Sequence, residues 1–169
     1  FLSLNASALS FNDEYIKWVK NLYKQAKLTK GQIVIELTES YQVEDYDYLV
    51  ELFNKLIAKG IKVAIDDFGS GYSSISYLAK FPIYAIKIDK QYVCDYDTNK
   101  FNRTLLKTLK SISEVLECKL VAEGVDNEDT LNYLKEVGCP SYQGYLFSQG
   151  VPLDEAFALI KRHNIVEEE

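Results

Sequence analysis

The sequence predicts an α/β protein, a (β/α) barrel of the TIM type that is incomplete, with about six of the eight β/α units of a full barrel. Two observations predict it: strand-like and helix-like segments alternate along the whole chain, and polar side chains recur where the strands end. The alternation alone also fits an open doubly wound sheet, and only the placement of the polar residues favours the barrel. We expect residues 1–169 to form a single domain.

The first half of the chain is predicted to contain four strands, at residues 2–5, 33–37, 62–66 and 85–88. Ser10 is positioned to cap the first helix, whose apolar face includes Tyr15 and Val19. Apolar residues at helical spacing predict a second helix over 46–57, and Gly60 is placed to end it. A short helix is expected over 73–78.

The second half continues the pattern with a helix over 105–116 and a strand at 119–121. Asn127 is predicted to cap the next helix, which Gly138 ends. We expect a short last strand around 144–147, and then a helix through residue 160 with Pro152 in its first turn. At about 28 residues a unit, a complete barrel needs about 225 residues, so about two units are expected before Phe1.

Charge and composition exclude several classes of protein. The net charge of −6 argues against a polymeric nucleic acid as partner, but a small phosphate ligand remains compatible because a bound cation reverses the local sign. No apolar run approaches the roughly 18 residues of a spanning helix, and no signal peptide is visible. We therefore expect a cytoplasmic domain, whose parent protein could be tethered to a membrane through upstream segments. The 3 cysteines form no CxxC pair and are read as reduced thiols.

The alternation of side chains along each strand sends one polar group inward near its C-terminal end. Val34 shares a face with Glu36, and Ala64 shares one with Asp66. By the same rule, Lys87 and Asp89 share a face, and Glu123 follows Val121. Active sites of barrels are built at the C-terminal ends of the strands.

Five residues with oxygen ligands fall at these strand ends: Asn5, Glu36, Asp66, Asp67 and Glu123. Converging carboxylates repel one another unless a cation or a proton lies among them. With no His or Cys in these motifs, the set predicts a hard cation, Mg²⁺ or Mn²⁺. Taken singly, each acid is equally consistent with a helix cap or a surface acid.

Five ordered motifs resemble the EAL domain, the family of cyclic di-GMP phosphodiesterases. They are IELTES (35–40), IDDFGSGYSS (65–74), IKIDK (86–90), VAEGVD (121–126) and YQGYLFS (142–148), and together they cover essentially the whole chain. The Glu-Ala-Leu motif that names the family is absent and is expected upstream of Phe1. Asp126 stands where a Glu is usual in the family.

The resemblance implies roles for individual residues. Asn5, Glu36 and Asp66 would bind one metal ion; Asp67 and Glu123 would serve a second, with Asp66 able to bridge both. Lys87 would lie beside the attacking water and the scissile phosphate. Glu123 would act as general base, as metal ligand or as both, and Gln143 would orient a ligand or a water. Gly69 and Gly71 would belong to a mobile loop that Glu39 anchors.

The function implied by the resemblance is metal-dependent hydrolysis of cyclic di-GMP to the linear dinucleotide pGpG by the intact domain, in bacterial signalling. The 169-residue chain alone is expected to be weakly active or inactive, because it lacks one ligand and part of the barrel wall. Expected partners are cyclic di-GMP, a second copy of the chain in a homodimer, and an upstream diguanylate-cyclase-like (GGDEF) or sensory domain.

Two alternatives stay open. The first is a receptor that binds cyclic di-GMP without cleaving it, or another signalling or interaction module. The second is an aldolase-like barrel in which Lys87 forms a Schiff base.

Overall fold

A computed structural model, which describes residues 1–7, 10–38, 45–69 and 78–164, contains six strands in one sheet. All the paired strands are parallel, and each strand lies beside the next one along the chain, in the order β1-β2-β3-β4-β5-β6. A doubly wound sheet reverses its strand order at a switch point, whereas a barrel keeps it sequential. The described strands therefore form an incomplete TIM-type barrel with β1 and β6 at its edges.

The helices follow the strands along the chain. In order, the elements are β1 (Leu2–Ala6), α1 (Asp13–Gln25), β2 (Ile33–Thr38), α2 (Tyr46–Ile57), β3 (Lys62–Phe68), β4 (Ala85–Ile88), α3 (Lys90–Cys94), α4 (Lys100–Val115), β5 (Lys119–Ala122), α5 (Glu128–Val137), β6 (Ser141–Tyr142) and α6 (Leu153–Asn164). No helix in these ranges is both long and apolar enough to cross a membrane.

The two faces of the sheet carry different residues, as the alternation predicts. Ile33, Ile35 and Leu37 of β2 belong to the main core, which also contains buried residues of the helices. Val34 faces the other way and packs with Ala64 and Ala85 in a separate small cluster. Small side chains on this inner face leave room for the longer polar residues that follow on the same strands.

The first helix begins two residues later than predicted. Asn12, not Ser10, is its N-cap, because the Asn12 side chain accepts a hydrogen bond from the Tyr15 amide at 3.0 Å. The Ser10 hydroxyl instead donates to the Ser7 carbonyl, one turn earlier. Asn127 and Gly138 cap the two ends of α5 as predicted, and Asn127 accepts from the Thr130 amide at 2.8 Å. Helix α2 instead ends with Ala58 as its C-cap, two residues before Gly60.

The predicted last strand is in the wrong place. Residues Ser141–Tyr142 pair with β5, and the chain from Gly144 turns back on itself, with the Phe147 amide donating to the Gly144 carbonyl. Gly144 lies so close to Val125 that an added Cβ would come within 2.2 Å of its carbonyl oxygen. Gln143 therefore follows the last strand instead of preceding it.

Helix α3 is absent from the sequence prediction. Asp89 was expected to continue the inner face of β4, but it leaves the strand and caps α3 by accepting a hydrogen bond from the Gln91 amide at 2.9 Å. The predicted helix at 73–78 falls almost entirely outside the described residues, and only Leu78, which is buried, lies within them.

Candidate active site at the strand ends

Four strands deliver a charged side chain to one point at the C-terminal end of the sheet. Glu36 comes from β2, Asp66 from β3 and Lys87 from β4, and Glu123 follows the last residue of β5. The Lys87 Nζ lies 2.7 Å from Glu36 Oε2, 2.7 Å from Asp66 Oδ1 and 2.6 Å from Glu123 Oε1. Acids that are distant in the chain thus meet around one ammonium group.

Lys87 is the centre of this cluster and is only 5% exposed. Burial by itself would lower the pKa of Lys87, but the hydrogen bonds to the three carboxylates outweigh burial and raise that pKa. The side chain is therefore held as an ammonium. A protonated amine is not a nucleophile, so this environment disfavours the aldolase-like alternative.

Glu123 is the least buried of the three acids that contact Lys87, with 18% of its side chain exposed. Burial raises the pKa of Glu123, and the ion pair with Lys87 lowers it without cancelling the increase. The nearby charges of Asp66 and Asp67 add to the increase. A carboxylate with a raised pKa is a stronger base, which suits Glu123 to accept a proton.

A β-bulge brings two consecutive aspartates to the same site. Ile65 pairs with Ile86 and Phe68 pairs with Ile88, so Asp66 and Asp67 together lie opposite Lys87 alone. Strict alternation would send Asp67 to the outer face of the sheet. The bulge, with Asp67 in the left-handed region at φ 54°, redirects the chain instead.

The bulge gives the site a set of oxygen donors that fits a hard cation. Carboxylate oxygens of Asp66, Asp67 and Glu123 all lie within 4.8 Å of one another. Three of the carboxylates, those of Glu36, Asp66 and Glu123, contact the Lys87 ammonium, and with Asp67 the group has a formal excess of three negative charges when all are ionised. Such an excess is stabilised by a divalent cation, and all-oxygen donors match Mg²⁺ or Mn²⁺.

Asn5 and Gln143 lie at the margins of the cluster. Asn5 of β1 is the Cα partner of Glu36 and is exposed. The Gln143 amide donates to the Ala122 carbonyl at 2.8 Å, and its carbonyl accepts from the Val125 amide at 3.1 Å, so its backbone brackets Glu123. Gln143 also lines the same cavity as Glu36 and Lys87.

The predicted loop falls mostly outside the described residues, which include neither Glu39 nor Gly71. Gly69 is described and has φ 97°, a backbone conformation that residues with a side chain rarely adopt. The Tyr92 hydroxyl donates a hydrogen bond to its carbonyl.

Sequence reasoning missed Tyr92 and gave Asp126 no structural role, although both lie near the site. Tyr92, in α3, contacts the end of β3, and its only sequence signal was a cap-forming Asp89 immediately after a strand. Asp126 accepts a hydrogen bond from the Tyr145 amide at 3.0 Å and so links the segment after Glu123 to the segment after Gln143.

Comparisons of the sequence with known proteins point to one family. The family described as "EAL domain" matches residues 1–150. The chain is 31% identical over 160 residues to the bifunctional diguanylate cyclase/cyclic di-GMP phosphodiesterase MucR of Pseudomonas aeruginosa, a match that covers 94% of this chain and 23% of MucR. It thus spans about a quarter of the length of that relative.

Solved structures agree with the sequence comparison. The EAL domain of Mycobacterium smegmatis DcpA superposes with a TM-score of 0.89 at 31% identity, over 95% of this chain and 73% of that one. Klebsiella pneumoniae BlrP1, in a complex with manganese and cyclic di-GMP, gives a TM-score of 0.80 at 31% identity, over 88% of this chain and 38% of that one. The chain belongs to the EAL domain family.

Proposed function

We propose that this domain, within its intact protein, hydrolyses one phosphodiester bond of cyclic di-GMP to give the linear dinucleotide pGpG, using bound Mg²⁺ or Mn²⁺. The observation that carries the proposal is the group of Asp66, Asp67 and Glu123 oxygens beside the buried Lys87 ammonium. The relative MucR is a cyclic di-GMP phosphodiesterase in part, and BlrP1 binds manganese with cyclic di-GMP.

The metal-binding residues in this proposal are Asn5, Glu36, Asp66, Asp67 and Glu123. Their oxygens are hard ligands, and the bulge supplies two of the carboxylates from adjacent positions. When bound, the divalent cations would supply Lewis-acid activation of a water and neutralisation of the phosphate.

The remaining residues act on charge and protons. In the reaction, the water oxygen forms a bond to phosphorus and the bond from phosphorus to the 3′ oxygen breaks, leaving a 5′-phosphate and a 3′-hydroxyl. The Lys87 ammonium stabilises the negative charge that develops on the phosphate oxygens. Glu123, with its raised pKa, takes the proton from the water or holds a cation, and Gln143 orients substrate or water.

The test is product analysis by anion-exchange chromatography of the full-length protein with cyclic di-GMP, with and without Mg²⁺ or Mn²⁺. We expect pGpG only with metal. Turnover should fall about 100-fold or more in Asp66→Asn, since mutating even the hydrogen-bond partners of metal ligands lowers metal affinity or activity by about 10–100-fold. Asp13→Asn, which removes an exposed acid paired with Lys55, is the control and should retain activity. Binding of cyclic di-GMP without product would instead support the receptor alternative.

The domain boundaries and the assembly are also proposals. We propose that residues 1–169 form one EAL domain, that the protein is a homodimer, and that a GGDEF or sensory domain precedes it in the same chain. MucR combines diguanylate cyclase and phosphodiesterase activities in its name, and this chain covers 23% of it. Sedimentation equilibrium of the full-length protein tests the dimer, and a monomer at all concentrations would exclude it.

A further inference from the structure

Helix α3 contacts the chain directly after the predicted metal ligands of β3. The Tyr92 hydroxyl donates a hydrogen bond to the Gly69 carbonyl at 2.5 Å. The Tyr92 ring packs against the same residue, because a Cβ on Gly69 would come within 2.7 Å of the ring atom Cε2. Gly69 is two residues beyond Asp67, so this contact fixes the backbone where the bulge ends.

The same helix also contacts the residue that follows Glu123. A Cβ on Gly124 would come within 2.5 Å of the Lys90 Cβ, and the Cys94 thiol lies 3.6 Å from the Gly124 carbonyl oxygen. One short helix therefore touches both segments that present the acids. Because α3 follows β4 after one residue, its position is also fixed relative to Lys87.

Helix α3 is in turn held by the body of the domain. Val93 is fully buried, and the Asn102 side-chain amide of α4 donates to the Gln91 carbonyl at 3.1 Å. Asn102 is itself only 3% exposed, and the Phe101 ring lies 6.5 Å from the Tyr92 ring. These contacts make α3 a firm support for what it touches.

One residue of the bulge, Asp67 at φ 54°, has a backbone conformation that is uncommon for a residue with a side chain. Gly69, at φ 97°, adopts its conformation without such a cost because it has no Cβ. A left-handed residue other than glycine persists only where surrounding contacts hold it. Tyr92 supplies two contacts at Gly69, the hydrogen bond to its carbonyl and the packing of the ring.

We propose that Tyr92 is a positioning residue: through its hydrogen bond and ring contact with Gly69, it holds the bulge in which Asp66 and Asp67 present both carboxylates to one site. This inference rests on the proposed function, because the bulge is taken to present Asp66 and Asp67 for cation binding. The hydrogen bond and the ring contact of Tyr92 are with Gly69, two residues beyond the predicted ligand Asp67.

The test compares Tyr92→Phe with Tyr48→Phe in the full-length protein. Tyr92→Phe removes the hydroxyl and keeps the ring. Tyr48→Phe removes a hydroxyl of the same type, 3.3 Å from Asp13 Oδ2 on the surface of α2, and serves as the matched control. Two readouts are measured: amide hydrogen exchange of residues 67–69 without metal, and the Kd for Mn²⁺ by isothermal titration calorimetry.

We expect exchange at residues 67–69 about fivefold faster in Tyr92→Phe than in the control, which corresponds to the loss of one hydrogen bond. The Mn²⁺ Kd should rise by about the same factor, while the thermal midpoints of the two variants agree. A general loss of stability would move the midpoint and exchange throughout the chain, so a merely structural role gives a different result.

The outcomes separate this proposal from the proposed function. If Mn²⁺ fails to bind the wild-type protein, the proposed function is wrong, and exchange alone then decides whether Tyr92 holds the bulge. If exchange at 67–69 is the same in both variants, the positioning role is wrong even where Mn²⁺ binds. Faster exchange with an unchanged Mn²⁺ Kd would also overturn it, because the bulge would then not determine cation binding.

Discussion

Replacing Lys87 by Met removes the ammonium that neutralises the acids while keeping a chain of similar length. Three carboxylates, each within 2.7 Å of the Lys87 Nζ, would lose their shared partner. Removing one partner of a buried ion pair costs about 3–5 kcal/mol, because the other charge is left uncompensated. Since 18% of the Glu123 side chain is exposed and partly screened by water, we expect the lower end, about 3 kcal/mol.

A divalent cation should reverse this loss. In the proposed site the cation would bind carboxylates that Lys87 also contacts, so the variant should gain more stability from Mn²⁺ than the wild type gains. Because the wild type also gains stability from Mn²⁺, only the difference in affinity counts, and a Kd about 100-fold lower in the variant would offset about 2.7 kcal/mol, close to the expected loss. In that case Lys87→Met would be nearly as stable as the wild type when saturated with metal.

The assay is urea unfolding followed by circular dichroism at neutral pH, with EDTA and with Mn²⁺. Lys55→Met is the matched control, because Lys55 also bridges two acids, Asp13 and Glu51, but does so on the surface. Its unfolding midpoint should change little and should respond to Mn²⁺ as the wild type does. Equal stability of Lys87→Met and wild type in EDTA would refute the reasoning.

Three further predictions concern the surroundings of the site. Gly124 has φ 69°, and in Gly124→Ala the new Cβ would lie 2.5 Å from the Lys90 Cβ of α3. We expect turnover to fall by about tenfold and the free energy of unfolding by about 1–2 kcal/mol. The control Gly150→Ala, which has open space around its Cβ, should leave both unchanged. Because folding raises the pKa of Glu123, the stability from this group is fully present below its ordinary pKa near 4.5 and is lost as the pH rises through the folded pKa. In urea unfolding from about pH 4 to 7, the free energy of unfolding should therefore depend less on pH in Glu123→Gln than in the wild type. Equal slopes in the two proteins would contradict this. Burial raises the pKa of both the Cys139 and the Cys94 thiols, so their difference in exposure decides the order of their reaction. Iodoacetamide should alkylate Cys139, which is 3% exposed, more slowly than the exposed Cys94, and the reverse order by mass spectrometry would contradict the assigned burial.

The parity of the inner face could be predicted from the sequence, because the two-residue period of a strand leaves little freedom. Val34 and Glu36 share a face as expected, and the opposite residues of β2 lie in the main core. The convergence of Glu36, Asp66 and Glu123 followed from the same rule, combined with the shared direction of parallel strands. The number of β/α units followed from the alternation of strand-like and helix-like segments along the chain.

The features that the sequence did not predict depend on local backbone geometry. The alternation of side chains along a strand predicts that Asp67 points to the outer face. The bulge, with Asp67 in the left-handed region, brings it to the site instead. The last strand was misplaced because the apolar residues after Gly144 look strand-like, whereas Gly144 packs against the Val125 backbone and begins a turn. Helix α3 is too short, at 5 residues, to show a helical period.

The account depends most on cation binding at the bulge, and anomalous scattering from crystals of the protein soaked in Mn²⁺ tests it directly. We expect anomalous density at metal–oxygen bonding distance from carboxylate oxygens of Asp66, Asp67 and Glu123. Manganese density elsewhere, with none in contact with these three acids, would contradict the account.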